Sequence, residues 1–220
     1  MTAPLLDSAQ GVTLIGGGEV AAADLAQATV LAPAIMAADS GAGRALAAGL
    51  VPLAVAGDFD SLSPQLRAQV PADRLHHIAE QDTTDFEKCL SRVAAPFVVA
   101  VGFAGPRHDH LLANLTTLIR LRRPPCLLLG GTDVIFAAPP RLVLDLPADT
   151  RVSIYPLGPV TGESRGLRWP LAGLALDPAG RVGTSNAATG GVVDLALDGP
   201  CIVILPRRHL GDAVAALAAR

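Results

Sequence analysis

The sequence predicts an α/β fold: a mostly parallel sheet with helices, followed by a smaller antiparallel β unit of sandwich or barrel type. Through the first two-thirds of the chain, short apolar runs alternate with helical patterns, as βαβ units require. Past about Leu142 the texture changes to short β-type runs separated by Pro, Gly, Asp and Ser turns, with no helix until the tail. The change falls at residues 139–146 and divides the chain into 1–141 and 142–220.

In the first part, the candidate strands are residues 12–15, 35–38, 53–56, 75–78, 97–101 and 126–129, all apolar except Thr13 and the two histidines of 75–78. Residues 85–93 and 110–121 read as helices. Thr84 followed by Glu87 fits a capping box, and acids in a first turn favour the helix dipole. Leu111, Leu115, Leu118 and Leu121 form a stripe suited to packing on a sheet. In the second part, residues 142–146, 152–155, 173–176, 192–197 and 201–205 read as strands, and the Ala-rich residues 210–219 as a closing helix.

Half of the 220 residues are hydrophobic, so a sizeable core is available. A formal charge of −3 with no basic run argues against a duplex nucleic acid partner, and one Trp and one Tyr supply little stacking surface for single strands. Cys89, Cys126 and Cys201 stand singly and read as reduced, mostly buried thiols. Residues 1–10 lack the basic and apolar regions of a signal peptide, and no uninterrupted apolar stretch suits a membrane span. The expectation is a cytoplasmic protein.

The most specific segment is Gly57-Asp58-Phe59-Asp60-Ser61, directly after an apolar strand. Ligands of open α/β sheets sit beyond the carboxyl ends of strands. In extended chain, Asp58 and Asp60 turn to the same side, where they repel each other unless a cation lies between. Oxygen-only ligands favour Mg²⁺, which favours a phosphate-bearing substrate; the alternative is a solvated turn. Gly16-Gly17-Gly18-Glu19 after the first strand suits close approach to a phosphate, or simply a tight turn. Asp39, at the end of the second strand, is a phosphate-site candidate or a buried helix cap. Asp82 and Asp85, beside Gln81 and Lys88, complete a possible four-carboxylate magnesium site with Asp58 and Asp60. Arg107 offers a planar fork for phosphate oxygens, and Asp109 reads as the N-cap of the following helix. His108 and His110 have the spacing of a metal pair only in a strand. In the second part, Gly183-Thr184-Ser185-Asn186 reads as a turn or as a polar loop for a heterocycle, and Trp169 as a core anchor.

Together these segments resemble the thiamine pyrophosphokinase family across nearly the whole chain. Asp39-Ser40-Gly41-Ala42-Gly43-Arg44 is similar to its Ala-Asp-Gly-Gly-Ala-Asn-Arg segment, with Ser and Gly at two places. Gly57-Asp58-Phe59-Asp60-Ser61 matches its most specific motif; Gln81-Asp82-Thr83-Thr84-Asp85, Gly105-Pro106-Arg107-His108-Asp109-His110 and Thr184-Ser185-Asn186 resemble its remaining boxes. The resemblance implies a Rossmann-like ATP-binding catalytic domain (1–141), a β-sandwich thiamine-binding domain (142–220), and a homodimer with shared active sites. It also implies Mg²⁺-dependent transfer of pyrophosphate from ATP to thiamine. Asp58, Asp60, Asp82 and Asp85 would organise magnesium and the triphosphate. Asp39, Gln81, Lys88, Arg107 and Asp109 would contact nucleotide or phosphate, and Ser185 and Asn186 thiamine. Family members often carry an aromatic residue after Ser-Asn; here Ala187-Ala188-Thr189-Gly190 follows. A pterin-directed pyrophosphokinase and a non-catalytic nucleotide- or thiamine-sensing protein are the competing readings.

Overall fold

The computed structural model describes residues 3–80 and 82–218, and the chain divides into two compact units, Met1–Gly130 and Gly131–Arg220.

In the first unit, β1 (Leu6–Asp7) pairs with the later β6 (Val93–Ala94). The principal strands are β2 (Val12–Ile15), β3 (Ala34–Ala38), β4 (Ala54–Gly57), β5 (Leu75–His77), β7 (Val98–Val101) and β8 (Cys126–Gly130). The pairs β3–β4, β4–β5, β2–β7 and β7–β8 are all parallel. Strand β2 is a neighbour of β3: the Ala34 N–H donates to Gly11 O at 3.3 Å, and Thr13 Oγ1 to Ala32 O at 2.6 Å. The chain therefore moves outward from β2 through β3, β4 and β5, then returns to the other side of β2 for β7 and β8. Strands β2, β3, β4 and β7 are buried at every position, which explains their unbroken apolar sequences.

The helices of this unit are α1 (Ala22–Leu31), α2 (Gly41–Ala47), α3 (Pro64–Arg67), α4 (Asp85–Leu90) and α5 (His108–Arg120). Helices α4 and α5 agree with the sequence reading. Helices α1 and α2 show in the sequence only as possible helix starts, because they bury small residues such as Ala28, Ala42 and Ala45 and carry no large apolar stripe. Helix α4 begins as its capping box predicts, with Thr84 Oγ1 accepting from the Glu87 N–H at 3.2 Å.

The second unit holds two antiparallel four-stranded arrays. One has the order β14 (Gly183–Ala187), β11 (Arg151–Pro156), β16 (Cys201–Pro206), β9 (Asp133–Ala137). The other has the order β10 (Arg141–Leu146), β15 (Gly191–Asp198), β12 (Val160–Arg165), β13 (Ala175–Leu176). Helix α6 (Leu210–Ala218) packs on β10. Alternation fixes the faces of β10: Leu142, Leu144 and Leu146 are buried, while Arg141, Val143 and Asp145 are exposed. The division between units precedes the sequence boundary of 141/142 because β9, with only alternate positions buried, pairs with β16.

Two readings of the second unit need correction. Residues 183–187 are a strand paired with β11, and their small polar side chains disguised it as a turn. Trp169 is 56% exposed, so it is no core anchor. All three cysteines are free and buried, and burial pushes the thiols of Cys89 and Cys126 far up.

Candidate active site

The carboxyl ends of β2, β3, β4 and β7 surround a cavity of about 650 Å³ in the first unit. It lies where the progress of the chain across the sheet reverses, the usual place for a ligand in an open α/β sheet. Its glycine turn is stitched to the end of β7: the Gly16 N–H donates to Val101 O at 2.8 Å and the Gly18 N–H to Gly102 O at 3.1 Å. A Cβ on Gly18 would sit 2.5 Å from Gly102 O, so glycine is required for this approach. Arg44 Nε donates to Gly17 O at 3.2 Å and steadies the turn from α2.

Asp39 closes β3 with φ 42, a left-handed conformation that a non-glycine residue seldom adopts. It is 5% exposed, and its Oδ1 has no hydrogen-bond partner among the described residues. Burial raises its pKa, and the nearby charges of Asp85 and Asp58 raise it further, against opposing hydrogen bonds from Ser61. A buried acceptor beside two further carboxylates is what a cation or a proton would satisfy.

Asp58 lines the cavity, whereas Asp60 is exposed and outside the lining. The expected same-side pair is broken by Phe59, whose φ of 65 reverses the chain between them. Phe59 is held by burial against Ala37, Val55, Leu62 and Val70, with the Arg67 guanidinium 4.5 Å from its ring centroid. The Asp60 N–H donates to Asp58 Oδ1 at 3.2 Å, so Asp58 also braces its own turn.

Beyond β5, Glu80 organises the next loop by accepting from the N–H groups of Asp82 (2.9 Å) and Thr83 (3.1 Å) and from the Thr83 hydroxyl. The Thr83 hydroxyl chiefly holds Glu80 below the usual carboxylate range. This turn brings Thr83 and Thr84 to the cavity and leaves Asp82 exposed outside its lining. Gln81 lies outside the described residues. Asp85 and Lys88, one turn apart on α4, both line the cavity; Lys88 is buried with its Nζ 3.7 Å from Asp85 Oδ1. Glu87, on the same helix, accepts from Arg120 (3.0 Å) and Thr117 (3.3 Å) and ties α4 to α5.

At the start of α5, Arg107 stands at the N-cap and Asp109 is inside the helix, so Asp109 is not the cap. Arg107 grips Asp109 through two bonds, 3.2 and 2.6 Å, and lowers the Asp109 pKa to about 2. Arg107 lines the cavity and is largely exposed. Phe86 and Phe103 form the apolar part, with ring centroids 4.9 Å apart, and Asn114 Nδ2 donates to Phe103 O at 2.9 Å. Sequence reasoning missed Ser40, Phe86, Phe103 and Asn114. Asn114 carried a signal: it is a polar residue on the apolar stripe of α5, one position before Leu115.

In the second unit, Ser185 is exposed at φ 61 where β14 slips in register against β11, and its N–H donates to Ser153 Oγ at 3.0 Å. Asn186 is buried and does not face solvent; its amide is bonded to the backbone of Trp169. Arg168 stacks 5.6 Å from the Trp169 ring centroid and pairs with Asp149.

Among the described residues, no three His, Cys, Asp or Glu side chains converge as a preformed metal site. Asp39, Asp58 and Asp85 still fit a divalent cation chemically, as oxygen donors with an orphaned buried atom among them. Magnesium commonly takes one or two carboxylates and completes its shell from substrate phosphates and water.

A glycine turn, carboxylates and cationic side chains at parallel strand ends define an α/β phosphotransferase. The family model described as "Thiamin pyrophosphokinase, catalytic domain" matches residues 25–128, which hold Asp39, Asp58, Asp85, Lys88 and Arg107. Thiamine pyrophosphokinase 1 of Oryza sativa subsp. japonica is 24% identical over 177 residues, covering 72% of this chain and 67% of the relative. Thiamine pyrophosphokinase of Bacillus subtilis (strain 168) is 35% identical over 88 residues, covering 37% of this chain and 41% of the relative. The solved structure of thiamin pyrophosphokinase from Candida albicans shares the fold with a TM-score of 0.76 at 15% identity, over 94% of this chain and 95% of that one. Over residues 25–128 the chain matches the thiamine pyrophosphokinase family, whose enzymes form thiamine diphosphate from ATP and thiamine.

Proposed function

We propose that this chain transfers the pyrophosphoryl group of magnesium-bound ATP to the hydroxyl of thiamine, releasing AMP, within a Rossmann-like first domain. The observation that carries this reading is the gathering of Asp58, Asp85, Lys88 and Arg107 around one cleft beside the glycine turn, with Asp39 buried outside the lining but close enough to feel the charges of Asp85 and Asp58. The thiamine hydroxyl oxygen attacks the β-phosphorus in line, the bond from that phosphorus to the bridging α-oxygen breaks, and AMP departs. Asp85, whose side chain is 48% exposed on the cleft, accepts the hydroxyl proton; Asp82 is outside the lining and poorly placed for it. Lys88 and Arg107 balance charge gathering on the phosphate oxygens. Magnesium, held by Asp58 with Asp39 behind it, would neutralise the triphosphate when bound.

Thiamine recognition falls to the second, sandwich-like domain. The exposed Trp169 ring supplies the aromatic surface missing after Asn186, and Asn186 fixes its backbone. Ser185, exposed and held in a strained conformation, offers a hydroxyl to the ligand. A cytoplasmic homodimer with active sites shared between subunits belongs to the same reading. No helix among the described residues is long and apolar enough to cross a membrane.

The test is AMP release from Mg-ATP with and without thiamine, with thiamine diphosphate followed in the same reaction. Equal, thiamine-dependent yields are expected. AMP formed regardless of thiamine would indicate another acceptor, such as a hydroxymethyl pterin, or hydrolysis. ATP binding without AMP would indicate a sensing protein.

A further inference from the structure

We infer that the Ser40 hydroxyl and the Gly17 N–H together hold a phosphate oxygen of the bound triphosphate, a contact that rests on the proposed use of this cleft for ATP. Of the three glycines after β2, the outer two spend their N–H groups on the Val101 and Gly102 carbonyls. The Gly17 N–H enters no hydrogen bond among the described residues, and Gly17 is exposed. Ser40 approaches it from the end of β3. Its Oγ lies 2.1 Å from where a Cβ on Gly17 would stand, so the hydroxyl rests on the glycine itself. That hydroxyl lines the cavity and likewise has no partner among the described residues.

Two unsatisfied donors side by side, one backbone and one side chain, match the lone pairs of a single phosphate oxygen. The Arg44 bond to Gly17 O holds the turn at 3.2 Å, so the pair is steadied before ligand arrives. The neighbouring carboxylates accept hydrogen bonds and cannot donate when ionised. Ser40 and Gly17 therefore complement them, binding phosphate where Asp39 and Asp58 cannot.

The probe is inorganic tripolyphosphate with Mg²⁺, titrated calorimetrically against wild type, Ser40→Ala, Ser40→Gly and Ser40→Thr. Ser40 has φ −59, a conformation open to all three replacements, and circular dichroism with melting temperature confirms folding. Ala and Gly are expected to weaken tripolyphosphate roughly five- to tenfold, the worth of one good hydrogen bond to an anion, and to raise KM for ATP equally. Thr, which keeps the hydroxyl, should bind within roughly twofold of wild type, and kcat and the KM for thiamine should hardly move in any variant. Unchanged tripolyphosphate affinity in folded Ser40→Ala or Ser40→Gly overturns the inference. Weakened tripolyphosphate binding, in a protein that makes no thiamine-dependent AMP, would keep the phosphate contact and remove the proposed reaction. Normal AMP formation with unchanged affinity would do the reverse.

Discussion

Asn186 closes on the backbone of Trp169 from both directions: its Nδ2 donates to Trp169 O at 2.7 Å, and its Oδ1 accepts from the Trp169 N–H at 3.2 Å. The same Oδ1 also accepts from the Ala187 N–H at 2.8 Å, so its oxygen takes two hydrogen bonds and its Nδ2 gives one inside the protein. Asn186 thus acts on any ligand through Trp169. Asn186→Ala should cost about 1–3 kcal/mol of stability, because buried backbone groups lose their partner. It should also raise the KM for thiamine. Trp169→Ala should raise the same KM while leaving the denaturation midpoint nearly unchanged. Equal thiamine KM values in Trp169→Ala and wild type would remove the ring from the binding surface.

Asp58 and Asp60 belong to one motif but have different surroundings, and their variants should separate. Asp58→Asn should lower kcat by about a hundredfold or more, as loss of a group neutralising the transferring phosphate does. Asp60→Asn, on the exposed side of Phe59, should stay within roughly fivefold. Steady-state kinetics at saturating Mg-ATP decides this, and matching losses would mean that Phe59 rearranges to bring both carboxylates in when ligand binds.

Much of this site was legible as sequence. Runs that are buried throughout announce themselves, and β2, β3 and β4 are followed closely by Glu19, Ser40 and Asp58, which line the cleft. What spacing did not reveal depends on single backbone angles. Alternation places Asp58 beside Asp60 only in extended chain, and the φ of 65 at Phe59 overrides it. Asp82 is diverted similarly, by hydrogen bonds to Glu80 that no periodicity encodes. Ser40 and Phe103 reach the cleft through contacts between segments far apart in sequence. Strand β14 was hidden because Gly183, Thr184 and Ser185 lack the apolar alternation by which strands are recognised.

Arg107 faces a choice between partners. In the free protein it is bound to Asp109 through both nitrogens of its fork, which is also the geometry that suits a phosphate. Arg107→Lys should therefore recover little of the ATP affinity lost in Arg107→Ala, where KM for ATP is expected to rise roughly tenfold. Neither change should move the melting temperature appreciably, since the pair lies on the surface. Full rescue by lysine would show that charge alone is needed there.

Asp39 makes the cleft a place where function opposes stability. Its pKa is raised in the folded protein, by burial first and then by Asp85 and Asp58, so the fold holds a proton that the unfolded chain has released. Protein stability should consequently fall as pH rises from about 3.8 through the folded value, and the full penalty persists at neutral pH. Asp39→Asn removes the charge and keeps the shape, and asparagine tolerates the left-handed backbone. At pH 7 this variant should be more stable than wild type by on the order of 1 kcal/mol, and the gain should shrink as pH is lowered through that window. It should also lose activity, because the orphaned Oδ1 is the acceptor that magnesium-bound triphosphate would satisfy. Urea unfolding of both proteins between pH 4 and 7 measures the difference. A gain that does not depend on pH would show that Asp39 has the same pKa in the folded and unfolded chains, and would overturn the burial argument.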